Sequence, residues 1–161
     1  TAQWTTLHKL AAAEKFDKTR LEENMKDLDK TTSCGSYAMH FAMLGNNTET
    51  INFLLENGAN INSGNIYGEV PLHWACKTCS PIVLQYLVSN HKVDCFVQDS
   101  EGNTALHWAA EYDNKEAVML LLERCPQLQH VKNLAGNTPL DMAVKNNSGC
   151  AKYFSHSETA C

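Results

Sequence analysis

"GNTALHWAAEYDN", from Gly102 to Asn114, puts a glycine, a small polar pair, Leu-His-Trp and two alanines into one run. The phrase returns with drift as "GEVPLHWAC" (Gly68–Cys76), "GNTPLDMAV" (Gly136–Val144) and "GSYAMHFAM" (Gly35–Met43), with a worn copy, "TTLHKLAAA", at Thr5–Ala13. Aligned on the apolar residue before the histidine, the copies fall at Leu7, Met39, Leu72, Leu106 and Leu140, spaced 32, 33, 34 and 34 residues apart. A nearly constant period of this length marks an array of one supersecondary unit. The 161 residues divide into five units, drawn at 1–31, 32–64, 65–98, 99–132 and 133–161, which form a single domain.

Each unit has a physical grammar. Gly35, Gly68, Gly102 and Gly136 open the phrase, where a tight turn calls for positive φ. Asn65, Asp99 and Asn133 stand three residues before three of those glycines and add side-chain turn chemistry. Thr104 and Thr138 sit at helix N-cap positions, and Pro71 and Pro139 in first turns, where a missing N–H does no harm. A short helix follows, Leu106–Glu111 in the clearest copy, and its paired alanines leave room for a close neighbour. After a polar break comes a second, more apolar helix: "TINFLLENG" (Thr50–Gly58), "IVLQYLVS" (Ile82–Ser89) and "EAVMLLLE" (Glu116–Glu123).

Turn, helix, turn, helix, about every 33 residues with a Thr-Pro-Leu-His-x-Ala core phrase, resembles the ankyrin repeat. "GANIN" at Gly58–Asn62 also matches that family's exit from its second helix, and the resemblance covers essentially the whole chain. It departs from the pattern where Asp141 replaces the histidine and where Lys18 and Thr19 occupy places usually apolar. The fold it implies is an all-α solenoid of stacked helix-turn-helix units joined by hairpin-like turns. The charged "DKTRLEENMKD" (Asp17–Asp27) and the polar "GCAKYFSHSETAC" (Gly149–Cys161) read as caps, because an end unit must present a polar outer face; the alternative for the second is an array cut there, with more repeats following. The first residue is not Met, which is expected of a truncated or processed chain.

The composition, 43% hydrophobic and 19% charged, is that of a globular domain. A net charge of -5 counts against a nucleic-acid backbone as partner, and no apolar run is long enough to span a membrane. Seven cysteines, an odd number scattered over the units, do not make a disulfide framework, so reduced thiols in cytoplasm or nucleus are the expectation.

Catalytic and metal readings fail on the pattern. His8, His40, His73 and His107 recur once per unit, whereas catalysis needs one constellation, so they are expected to tie helix starts to turns. His73, Cys76 and Cys79 lack a fourth zinc ligand, though Cys79 in the inter-helix turn is a candidate for oxidation. Trp74 and Trp108, in one column with Phe41 and Met142, are expected to pack between stacked helices. No nucleophile with a dedicated base appears, so no enzyme, no metal and no cofactor is expected. The resemblance also implies that Asn62, eight residues after Leu54, occupies a place where ankyrin asparagines can be hydroxylated; its simpler reading is a turn residue.

The ankyrin resemblance implies a concave side built from hairpin tips and first helices, with specificity written where the units differ. In the third unit those positions include Ile66, Tyr67, Glu69 and Lys77. In the fourth they include Glu101, Asn103, Glu111 and Tyr112, and in the fifth Leu134 and Lys145. Tyr67 and Tyr112 are the favoured contacts, since tyrosines offer large area at low entropy cost. The carboxylates around them, Asp113 included, would steer a basic protein or peptide ligand. The expected function is a non-catalytic interaction module. The alternative is a substrate-recruiting or regulatory domain of a larger enzyme or channel, such as a membrane palmitoyltransferase.

Overall fold

The computed structural model describes residues 3–78 and 80–154. Nine α-helices occur among them: α1 (Thr6–Ala11), α2 (Lys18–Asn24), α3 (Ala38–Gly45), α4 (Thr48–Glu56), α5 (Pro71–Thr78), α6 (Pro81–Ser89), α7 (Ala105–Glu111), α8 (Lys115–Arg124) and α9 (Pro139–Lys145). Tight 3₁₀ turns cover Met25–Asp27, Pro126–His130 and Gly149–Phe154. No strand occurs among the described residues.

The first helices stack in one row, with α1 on α3, α3 on α5, α5 on α7 and α7 on α9. Each also packs against the second helix of its own unit, and α6 packs on α8 behind them. The apolar series found in the sequence lies inside: Leu7, Met39, Leu72 and Leu106 are buried, and Leu140 is partly buried against the same core. From the second helices come Leu54, Leu87 and Leu121, all fully enclosed. The alanines of the phrase, Ala75, Ala109 and Ala110, are fully buried between neighbouring first helices, where a longer side chain would hold the helices apart.

Polar side chains fix where the helices begin. Thr5 and Thr138 cap α1 and α9 by accepting from His8 N and Asp141 N. The second helices use asparagine: Asn47 accepts from Glu49 N and Thr50 N, and Asn114 from Ala117 N. The same asparagines reach back one unit, with Asn47 Nδ2 donating to the Glu14 carbonyl and Asn114 Nδ2 to that of Cys76, both at 2.9 Å. Capping and inter-unit bonding are thus one device.

The turns match the glycine reading. Asn65, Asp99 and Asn133 each accept two backbone N–H groups within their own hairpin. Successive hairpins are joined edge to edge: Ile66 N donates to Cys34 O, Ser100 N to Tyr67 O and Leu134 N to Glu101 O, at 2.8–3.0 Å. Gly102 shows why the turn residue is small. Its φ is +78°, and a Cβ there would lie 2.7 Å from Leu134 N.

The two end units differ from the interior. The helix expected over Asp17–Asp27 is α2 followed by the Met25–Asp27 3₁₀ turn, with Lys18 and Thr19 exposed and Leu21 buried. The stretch from Gly149 is a 3₁₀ turn to Phe154 rather than an α-helix, burying Cys150 and Phe154, with little else apolar to form a wider buried face. Residues beyond 154, and the expectation attached to Cys79, lie outside the described residues.

Candidate functional site

The four phased histidines are fully enclosed, and each makes the same two bonds. Nδ1 accepts from the backbone N–H three residues earlier: Thr5, Tyr37, Val70 and Thr104, at 3.0–3.1 Å. Nε2 donates to a carbonyl further along: Lys30, Glu69, Asn103 and Asn137, at 2.8–3.0 Å. A backbone N–H can only donate, so Nδ1 is bare and the proton sits on Nε2. Burial holds all four imidazoles below their ordinary pKa. With both nitrogens engaged, they offer nothing to a metal or a reacting proton: His40, His73 and His107 connect one unit to the next, and His8 ties its helix to the end of its own unit. Asp141 keeps the half of this job inside its own unit, its Oδ2 accepting from Thr138 N at 2.8 Å.

The surface formed by hairpins and first helices holds two adjoining hollows. One, of about 260 Å³, is lined by Tyr67, Glu69, Asp99, Ser100, Glu101, Asn103, Trp108, Glu111 and Tyr112. Its charged groups are all carboxylates. Asp99 is tied down, with Oδ1 in its turn and Oδ2 accepting from Trp108 Nε1 at 2.9 Å. Glu69 accepts from Asn65 Nδ2 and Trp74 Nε1. Glu101 and Glu111 are exposed, and the Glu111 side chain makes no hydrogen bond or ion pair among the described residues. The Trp108 and Tyr112 rings lie 5.9 Å apart, and Lys77 Nζ sits 4.9 Å from the Tyr112 ring centre. The second hollow, about 460 Å³, is lined by Leu44, Glu69, Trp74, Lys77, Thr78 and Trp108, so Glu69 and Trp108 belong to both.

Six of the ten residues singled out from the sequence therefore meet around one hollow: Tyr67, Glu69, Glu101, Asn103, Glu111 and Tyr112. Lys77 lines its neighbour. Ile66, Leu134 and Lys145 are exposed but line neither, and Leu134 is 80% accessible. Asn103 stands apart in kind: it is 5% exposed, and its Oδ1 accepts from Asn133 Nδ2 of the next hairpin. Trp74 and Trp108 pack against the core, as their shared column implies, but are only partly covered and supply walls. Asp99 was legible as a turn residue and Leu44 by no signal. Asn62 does work at a turn: its Nδ2 donates to Lys92 O and its Oδ1 accepts from Asp94 N.

The repeating geometry has counterparts among known proteins. A family model described as ankyrin repeats, in three copies, matches residues 7–99 and 82–160. The mouse B-cell lymphoma 3 protein homolog is 33% identical over 126 residues, 76% of this chain and 28% of that protein. A putative ankyrin repeat protein of Rickettsia felis is 28% identical over 144 residues, 89% of this chain and 35% of that one. Human transient receptor potential cation channel subfamily A member 1 is 31% identical over 121 residues, 73% of this chain and 11% of the channel. The chain thus spans a minor part of the length of these relatives. Ankyrin repeats are non-catalytic units that mediate protein–protein interaction. The histidine bonds repeated in four of the five units, the hairpin glycines and the family match together place this chain in the ankyrin-repeat family.

Proposed function

We propose that this chain is a non-catalytic interaction module that holds a segment of a partner protein against its hairpins and first helices. A basic side chain of the partner enters the hollow between Tyr67 and Tyr112. The observation that carries this is the lining: four carboxylates, three aromatic rings and no basic group. Two of those carboxylates hold indoles and Glu101 accepts only one long bond, 3.4 Å from Asn103 Nδ2, so Glu101 and Glu111 are the pair left to meet a cation. Tyr67, 50% exposed, and Tyr112, 43% exposed, give the contact area. Negative charge at a concave site favours encounter with a Lys- or Arg-bearing ligand and disfavours nucleic acid. The scattered thiols suit a reducing compartment, cytoplasm or nucleus.

A second reading makes the array the recruiting or regulatory part of a longer enzyme or channel. It is favoured by the lengths of the relatives, of which this chain spans 11–35% in two cases.

Selection from a random peptide library tests the first reading. Wild-type chain should enrich Lys- or Arg-containing peptides, and the Tyr67→Ala/Tyr112→Ala variant should lose them while keeping its thermal transition. Enrichment of acidic peptides, or unaltered selection by the double variant, would reject it.

A further inference from the structure

We infer that the bound segment carries a bulky apolar side chain two residues from its basic one and on the same face, seated in the second hollow on Leu44, Trp74 and Trp108. This rests on the interaction reading above and adds the second anchor. Leu44 of α3 is 41% exposed although both its chain neighbours, Met43 and Leu44's successor Gly45, are buried. It faces α5, where Trp74 and Thr78 complete the wall, and Trp108 of α7 closes the far side.

The indoles decide what this hollow accepts. Trp74 Nε1 already donates to Glu69 Oε1 at 3.3 Å, and Trp108 Nε1 to Asp99 Oδ2 at 2.9 Å. An indole has only that one donor. Both rings therefore present carbon faces to a ligand, and neither has an N–H left to donate to a polar acceptor. Their orientation is fixed too: Trp74 meets Phe41 edge-on at 5.6 Å, and Trp108 lies 5.4 Å from the His73 ring. Lys77 contributes its hydrocarbon stem, since its ammonium is drawn over Tyr112 at the border with the acidic hollow. The result is a preformed apolar seat next to a field of carboxylates. Because Glu69 and Trp108 line both hollows, the seats abut. Side chains at i and i+2 of an extended segment, on one face and ~7 Å apart, can fill both at once.

Short capped peptides with a Gly/Ser background test this directly. One carries Leu and Arg at i and i+2, a second Leu with citrulline, a third Ala with Arg, and a fourth Ala with citrulline. Titration is followed through the indole N–H resonances of Trp74 and Trp108 in the unaltered chain, so the comparison of the four peptides needs no variant. The Leu/Arg peptide should bind about tenfold more tightly than either singly anchored peptide. Leu44→Ser should remove the advantage of Leu and leave that of Arg, while Glu101→Gln/Glu111→Gln should do the reverse. If Arg strengthens binding and Leu does not, the second anchor is wrong and the basic-partner reading stands. If Leu strengthens binding and Arg does not, or neither does, the basic-partner reading falls and this inference with it. A wild-type chain that sediments as a dimer and becomes monomeric as Leu44→Ser puts a second copy in the seat and overturns the proposal.

Discussion

The Nε2–H of His73 donates to the carbonyl of Asn103 at 2.9 Å, across 30 residues of sequence and from one unit to the next. On its other side, His73 Nδ1 takes the N–H of Val70 at 3.0 Å. One enclosed ring thus satisfies two buried backbone groups that belong to different units.

His73→Ala leaves both groups without a partner and opens a void where the ring stood. Loss of roughly 3 kcal/mol is expected. Urea unfolding of the variant measures it, and a loss below about 0.5 kcal/mol, the range of ordinary surface changes, would show that the bridge carries nothing.

Acid should weaken the stack. His8, His40, His73 and His107 are all held below their ordinary value of 6.5 by burial, so the folded chain keeps them neutral. On acidification the unfolded chain takes up protons first. The stability these groups lend is complete above about pH 6.5 and drains away as the pH falls toward their folded values. Each histidine that stays neutral contributes a slope of up to about 1.4 kcal/mol per pH unit in that window. Melting followed between about pH 7 and pH 5 should show a steadily falling midpoint; a flat profile would mean the imidazoles protonate without unfolding.

Two glycines with the same backbone angle should respond differently to alanine. Gly102 and Gly136 have φ of +78° and +82°, but only the first faces a neighbour within 4 Å. Gly136→Ala is expected to cost the conformational penalty alone, about 1–2 kcal/mol. Gly102→Ala must also push back Leu134 N, whose bond to Glu101 O joins two hairpins, and should cost more. Equal losses in thermal unfolding would mean the hairpins do not need that closeness.

Leu121 of α8 is fully buried. Its truncation to alanine should cost roughly 2–5 kcal/mol in denaturant unfolding, the range for an interior leucine. A near-neutral result would contradict the inward register of the second helix.

Features that repeat with the unit were readable from sequence, because they depend on contacts every unit makes. The inward leucines, the Thr138 cap and the asparagine-led turns all fall where the period puts them, and Thr104 holds the N-cap position of α7 with its hydroxyl on the His107 ring. What escaped depends on a neighbour some 30 residues away. Asn103 reads as a variable tip position, yet the next hairpin's Asn133 covers it and takes its amide oxygen. Trp108 reads as packing, and its partly open ring becomes a wall only because the Tyr67 hairpin and α5 stand opposite. Glu69, read among the steering carboxylates, is instead held within its own unit by Asn65 and Trp74, four and five residues away, a side-chain pairing that no residue pattern marks. Leu44 sits in a run of apolar residues, and nothing local marks it as the one left uncovered.

The bridges of His40, His73 and His107 and every hairpin bond described above join a unit only to its immediate neighbour. A tensile load along the stack is therefore carried in series, like tension through the links of a chain. Such a body yields by peeling one unit at a time from an extremity, and it bends like a spring before any link parts.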